Sequence, residues 1–414
     1  MYKEMHKEMH KDNRRKISLT GIGMGAGASL TGEAQAALER CDCIIGADRM
    51  TEALSRFGKP SYHAYKAERI KEIIEEHSEY RHIAVALSGD CGFYSGAKTL
   101  AGELEEYETE LIPGVSSVAY LAARLGVSWE DAALMSAHGR RQNYIYSIAR
   151  SEKTFLLLGG TQCAEALCEK IRYYGLADVE FWIGRRLSYE DETIVHRTGR
   201  ELKPEDCEGL DVAFVRNPSP DKRVAVHLED DAFVRGEVPM TKSEVRSVSI
   251  GKLGLTKDAV LYDIGAGTGS VSVEAALCSG EIKVYAIEKN PEAVRLLEEN
   301  RRRFLCDNIE IIEGTAPDAV HALEAPTHVF VGGSSGNLKA ILSAVRKKNP
   351  GAGIVINAAS LETVGEVMKA AEDGLLFDPE IVQIAASRAR KLGRYHMMSA
   401  QNPVYVVSDG KGQR

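Results

Sequence analysis

VLYDIGAGTGSVSVEAALCSGEIKVYAIEK, residues 260–289, runs as strand, glycine turn, helix, strand and closing acid. Val260, Leu261 and Tyr262 lead into Asp263. Gly265, Gly267 and Gly269 then let the backbone turn sharply and approach a ligand with no Cβ in the way. Glu288 ends the second apolar run about 20 residues after the turn, where a carboxylate can accept hydrogen bonds from both hydroxyls of a ribose. The pattern predicts a nucleoside-binding βαβ unit.

The glycine spacing separates two nucleoside cofactors only in part. A dinucleotide needs room for a pyrophosphate at the helix N-terminus and usually shows GxGxxG, whereas this turn is GxGxG with Asp263 ahead of it. An acid suits a cationic ligand better. Successive strand candidates follow: IEIIEG at 309–314, THVFVGG at 327–333, GIVINAAS at 353–360, EIVQIAASRAR at 380–390 and PVYVVSDG at 403–410, most of them separated by helical patterns. A parallel sheet finished by a late strand resembles the seven-stranded, Rossmann-like methyltransferase fold. That resemblance implies S-adenosyl-L-methionine as the cofactor.

The first half has a different glycine vocabulary. TGIGMGAGASLT at 20–31 follows a short strand and precedes the helical pattern GEAQAALERC. CDCIIGADRM at 41–50, VALSGDCGFYSGAKTL at 85–100 and LIPGVSSVAYLAARLGVSWEDAALMSAHGR at 111–140 come next. In this order and spacing the blocks resemble the tetrapyrrole methylase family, over about residues 16–225, and imply two α/β subdomains that bind S-adenosylmethionine without a dinucleotide-type fold. The SGDxGFYSG and SAHGR blocks, with IGRRLSYEDETIVHRTG at 183–199, look most like the members that methylate C5 of a precorrin. MTKSEVR at 240–246 and DIGAGTGSVSVEAA resemble the decarboxylating C15 methyltransferases. Where the first family usually has proline this chain has Met24 and Cys91, and where it has an acid this chain has Ala26.

The joint resemblance implies a fused enzyme of cobalamin biosynthesis. It would methylate a precorrin-6B-type corrinoid at C5 and C15 and decarboxylate the ring-C acetate, giving precorrin-8. Matching positions imply that Ser88, Gly89, Asp90, Ser116, Ser117 and Leu158 line the cofactor pocket of the first half. Thr241, Gly265, Gly267, Gly269, Glu288 and Ala316 would do so in the second. Gly21, Gly23 and Gly25 would face the macrocycle, and His138 and Arg140 are candidates for substrate contact. Arg388, Arg390 and Arg394 lie in a basic stretch expected to be a loop near the open end of the sheet, where guanidinium groups would meet the carboxylates of a precorrin or cobalt-precorrin. The run Arg301-Arg302-Arg303 ends a helical pattern, where cations favour the dipole without any ligand.

Composition bounds these expectations. At 414 residues the chain exceeds what one core normally serves. The expected division is a disordered tail over 1–15, a tetrapyrrole methylase domain over 16–225 and a methyltransferase domain over 230–414. Between the halves, Asn217-Pro218-Ser219-Pro220 ends a strand, and HLEDDAFVRGEVP at 227–239 is polar and unpatterned before Thr241, which is expected to cap the next helix. No apolar run is long enough to span a bilayer, and the charged first residues, MYKEMHKEMHKDNRRK, are no secretory signal. A cytoplasmic enzyme is expected. The eight cysteines form no zinc box, so no metal is expected. With 52 basic and 60 acidic residues the net charge of −8 argues against a nucleic-acid partner. A homo-oligomer, dimer or tetramer, is expected. Two further classes remain open: a methyltransferase acting on protein or tRNA, weighed against by the first half, and a non-catalytic tetrapyrrole-binding regulator, weighed against by the intact glycines and Glu288.

Overall fold

In the computed structural model, residues 15–25, 27–137, 143–209, 211–224 and 227–409 are described. The tail expected over 1–15 lies, apart from its last residue, outside them. Two compact units emerge. One is built almost entirely from residues up to Pro218, and the other from Ser219 onward with Tyr173–Gly175 and the segment around the helix Tyr144–Arg150.

The first unit opens with five strands, β1 (Lys16–Gly21), β2 (Cys43–Gly46), β3 (Ser61–His63), β4 (His82–Leu87) and β5 (Glu108–Ile112). They form a parallel sheet of order β3-β2-β4-β1-β5. Residues on alternate faces enter different clusters. Ile45, Ile83 and Val85 pack with Ile70, Ile73 and Leu100, whereas Ile44, Ala84 and Ala86 pack with Ile22 and Leu38. Both faces are therefore covered, which explains the near-continuous apolar runs CIIG and IAVAL. The second sheet of this unit, β6 (Ala133–Ser136), β7 (Lys153–Leu157), β8 (Glu180–Arg185), β9 (Thr193–Thr198) and β10 (Val212–Arg216), has the order β6-β7-β10-β8-β9. Only the β6–β7 pair is parallel.

The second unit holds β11 (Val260–Ile264), β12 (Lys283–Glu288), β13 (Ile309–Glu313), β14 (His328–Val331), β15 (Gly353–Ala358) and β16 (Glu380–Ile384). A hairpin of β17 (Ser387–Leu392) and β18 (Tyr395–Ala400) intervenes before the last strand, β19 (Val404–Ser408). The seven-stranded order is β13-β12-β11-β14-β15-β19-β16, parallel except for β19, which runs antiparallel to both neighbours. Its two faces carry separate cores, one around Leu261, Val284 and Phe330 and the other around Tyr262, Tyr285 and Val329.

Three local expectations are corrected. EIVQIAASRAR is not one strand: β16 stops at Ile384 and β17 starts a separate two-stranded ribbon at Ser387. The basic stretch is accordingly not a loop; Arg388 and Arg390 lie in β17 and Arg394 in the tight turn that follows. Thr241 does not cap the helix Ser243–Leu253, whose N-cap position is Lys242 without a side-chain cap bond. The Thr241 carbonyl is taken instead by the Arg246 guanidinium at 2.6 Å.

Candidate functional sites

In the second unit the sheet order reverses between β11 and β14, so the loops leaving their carboxyl ends part and open a crevice. A cavity of about 790 Å³ occupies it, and Thr241, Gly265, Gly267, Glu288 and Ala316 are among its lining residues. Gly265 has φ +72°, and a Cβ there would sit 2.7 Å from the Gly333 carbonyl oxygen, so only glycine lets the two loops approach. Gly269 does not line the cavity. It starts the helix Ser270–Cys278 at φ +77°, and a Cβ would strike the Leu297 side chain.

Glu288 is held by the turn it closes. One carboxylate oxygen accepts the Gly267 N–H at 2.8 Å, and the other accepts those of Lys289 and Asn290, each at 2.8 Å. An ionised carboxylate offers about four lone-pair sites, so roughly one in-plane site remains for a ligand hydroxyl. Asp263 is fully buried. One of its oxygens accepts the Ser272 hydroxyl and the other has no partner, and burial pushes the carboxyl up to about 7. It is not among the cavity-lining residues, so the acid ahead of the turn does not face a ligand there.

The lip of the cavity is fixed from below. Arg246, fully buried, donates to Glu274 at 2.7 Å, lies 3.4 Å from Asp230 and stacks 4.8 Å from the Phe233 ring centre. Its bond to the Thr241 carbonyl anchors the MTK segment against the helix Ser270–Cys278. None of Arg388, Arg390 and Arg394 lines the cavity. Arg388 donates to Glu244 at 2.8 Å and to the Ser243 hydroxyl and lies 3.7 Å from Asp230, while Arg394 sits over the Tyr395 ring.

In the first unit a cleft of about 300 Å³ is lined by Ser88, Gly89, Ser116, Ser117 and Leu158 together with Met24. The loops that form it are tied together: Gly23 and Gly89 exchange N–H···O bonds of 3.1 and 2.7 Å. Asp90 does not line the cleft; its carboxylate accepts the N–H groups of Gly92 at 2.8 Å and Gly114 at 3.0 Å, bracing the loop after β4 against the loop after β5. Ser116 caps the helix Ser117–Leu125 by accepting the Ala119 N–H at 3.1 Å. Gly21 packs inward, where a Cβ would lie 2.7 Å from the Gly114 nitrogen. A Cβ on Gly25 would lie 2.4 Å from the Tyr189 hydroxyl, which is buried without a partner. Cys91 is buried, its sulfur 3.1 Å from the Leu19 and Ile112 carbonyl oxygens. His138 and Arg140 lie outside the described residues.

Several lining residues were not among those named from the sequence. Arg49, whose guanidinium meets the Ser88 hydroxyl at 3.3 Å, and Tyr94, Arg186 and Tyr189 join the first cleft. Tyr94 and Arg186 also hold φ of +46° and +49°, backbone strain of the kind that gathers at functional sites. Asn357, Gln401 and Asn402 join the second cavity. No grouping of His, Cys, Asp or Glu among the described residues could hold a metal ion, and all eight cysteines are free.

The chain matches two family models: tetrapyrrole (corrin/porphyrin) methylases over residues 16–203 and the precorrin methyltransferase domain over residues 231–409. It is 40% identical over 183 residues to a cobalt-precorrin-6B C15-methyltransferase (decarboxylating) of Salmonella typhimurium, covering 44% of this chain and 94% of that protein. Among solved structures, a precorrin-6Y C5,15-methyltransferase of Geobacter metallireducens is 34% identical, covering 45% of this chain and 96% of that one, with TM-score 0.43. A precorrin-8w decarboxylase of Methanobacterium thermoautotrophicum is 38% identical, covering 44% and 99%, with TM-score 0.42. The chain therefore belongs to the decarboxylating precorrin methyltransferases, with a tetrapyrrole methylase domain fused ahead of its precorrin methyltransferase domain.

Proposed function

We propose that the chain methylates a precorrin-6B-type corrinoid at C5 and C15 and removes the ring-C acetate carboxyl, giving a precorrin-8 in cobalamin biosynthesis. Residues 16–225 serve C5; residues 230–414 serve C15 and the decarboxylation. The observation that carries this is the second unit's cavity, about 790 Å³ in extent, which runs from the glycine turn and Glu288 to the ends of β14 and β15. That is more than a nucleoside needs and leaves room for part of a macrocycle.

S-adenosylmethionine, when bound, supplies a methyl group already activated on a sulfonium. The residues fit it: Gly265 and Gly267 leave the turn open, Glu288 keeps an acceptor for a ribose hydroxyl, and Ile287 and Ala316 offer apolar walls. Thr241, positioned by Arg246, closes the lip. In the first unit, Ser88, Gly89, Ser116, Ser117 and Leu158 are the corresponding wall, with Asp90 holding the loops in register.

No protein nucleophile is required, because the meso carbons of a precorrin are enamine-like. The chain's work is alignment, which can supply roughly 7 to 11 kcal/mol of a barrier. In the decarboxylation the carbon–carbon bond to the carboxylate breaks, its electron pair moves into a protonated ring imine and carbon dioxide leaves. The resulting exocyclic enamine carbon then takes a proton to become a methyl group. Arg388 is committed to Glu244, so Arg390 and Arg394, both exposed, are the arginines of the ribbon left to meet surviving carboxylates.

No helix among the described residues is long and apolar enough to cross a membrane, and the net charge of −8 supports a small-molecule partner in the cytoplasm over nucleic acid. Leu392 and Met398, 64% and 66% exposed on the ribbon, support self-association as a homo-oligomer, dimer or tetramer. The test is turnover of the intact protein with metal-free and cobalt-loaded precorrin, read by mass. Gain of two methyl groups with loss of carbon dioxide is expected. Methylation of a protein or tRNA instead, or no turnover, would contradict the proposal.

A further inference from the structure

Asn357 sits in β15 at the carboxyl edge of the sheet and lines the large cavity. Its side-chain carbonyl is 3.0 Å from the Ser249 hydroxyl, a fully buried group that also lies 2.8 Å from the Val245 carbonyl. With its oxygen on that hydroxyl, the Asn357 amide nitrogen is buried with no acceptor. A buried donor without a partner costs stability, and folds seldom keep one unless something else accepts from it.

Two more neutral amides adjoin it. β19 runs antiparallel to β15 with Ala358 opposite Tyr405, which brings the residues just before β19 beside the end of β15. Gln401 and Asn402 lie there, and both line the cavity. The cations that line it have partners of their own: Lys242 lies 3.9 Å from Asp230, and Lys289 donates at 2.9 Å to the hydroxyl of Ser335, another lining residue. The polar side chains that β15 and the segment before β19 give the cavity are thus neutral amides, one of them with a donor to spare.

Such a wall suits a carboxylate that has to leave. As carbon dioxide forms, negative charge drains from the carboxylate into the macrocycle. A guanidinium or ammonium partner would stabilise the starting ion more than the transition state and slow the step, whereas a single neutral N–H orients the group without clamping it. We propose that Asn357, with Gln401 and Asn402, forms a neutral amide subsite for the acetate carboxylate that the enzyme removes. This rests on the proposed decarboxylation and names the residues that position its leaving group.

The test uses the intact chain, S-adenosylmethionine and a precorrin-6B-type corrinoid, and follows carbon dioxide release and product mass together. Wild-type protein that neither methylates nor decarboxylates would overturn the functional proposal itself. With an active wild type, Asn357→Leu should lower carbon dioxide release about tenfold or more, because the breaking bond is no longer held in alignment with the ring, and a methylated product that keeps its carboxyl should accumulate. Its cofactor affinity, measured by calorimetry, should stay within about twofold of wild type. Carbon dioxide release equal to wild type would overturn the subsite. If Asn357→Leu fails to bind cofactor, Gln401→Leu takes its place under the same two outcomes.

Discussion

Glu288 shows how one side chain can serve fold and ligand together. It accepts the N–H groups of Gly267, Lys289 and Asn290, so it shapes the turn as well as facing the cavity. Glu288→Ala should therefore lower both cofactor affinity in the second unit, by about 10- to 100-fold, and the thermal midpoint. Methylation at C5 should continue, because the first cleft is built from other residues. Equal loss at both carbons in folded protein would contradict the division of labour.

Asp263 makes a separate prediction about pH. Its buried carboxyl keeps a proton up to about 7, whereas an unfolded aspartate loses it near about 4. Across that window the folded chain binds more protons than the unfolded one, so this residue's contribution to stability falls as pH rises. Asp263→Asn keeps an acceptor for Ser272 and removes the titration. Its thermal midpoint should gain on wild type at about pH 8 relative to about pH 5, and a constant difference across the range would refute the assignment.

At the scale of elements, Arg246 welds the helix Ser243–Leu253 to the helix Ser270–Cys278 through Glu274 and holds Thr241 at the cavity lip. Arg246→Met would leave Glu274 without its cation, and breaking a buried pair from one side costs about 3 to 5 kcal/mol. Urea denaturation should show that loss; a change below about 1 kcal/mol would mean the network is not a structural weld. The second unit's sheet was legible from sequence because each strand is a short apolar run bounded by turn residues, and GxGxG allows few conformations. The ribbon was not. Alternation continues through Ala385 and Ala386, so nothing in EIVQIAASRAR marks where pairing changes partner. The Thr241 cap failed because the helix starts one residue later, its first backbone bond running from Arg246 N–H to the Lys242 carbonyl, which makes Lys242 the N-cap. Site residues on glycine turns were nameable because backbone geometry demands them. Gly114 was missed because its need for glycine is a close approach, a Cβ there falling 2.2 Å from the Gly89 oxygen, visible only when the three loops meet. Asn357 was missed because an amide in an apolar strand belongs to no motif.

For the whole molecule, the central claim is that one chain carries two methyltransferase centres, each complete in its own unit. The cleft of about 300 Å³ draws its lining only from the first unit, and the cavity of about 790 Å³ only from the second. The most direct measurement is isothermal titration of the intact protein with S-adenosylhomocysteine, the demethylated cofactor, alongside the Glu288→Ala variant. The account predicts two sites per wild-type chain and, in the variant, one site at unchanged affinity with the other weakened about 10- to 100-fold. One site per wild-type chain, or a variant that loses both, would contradict it.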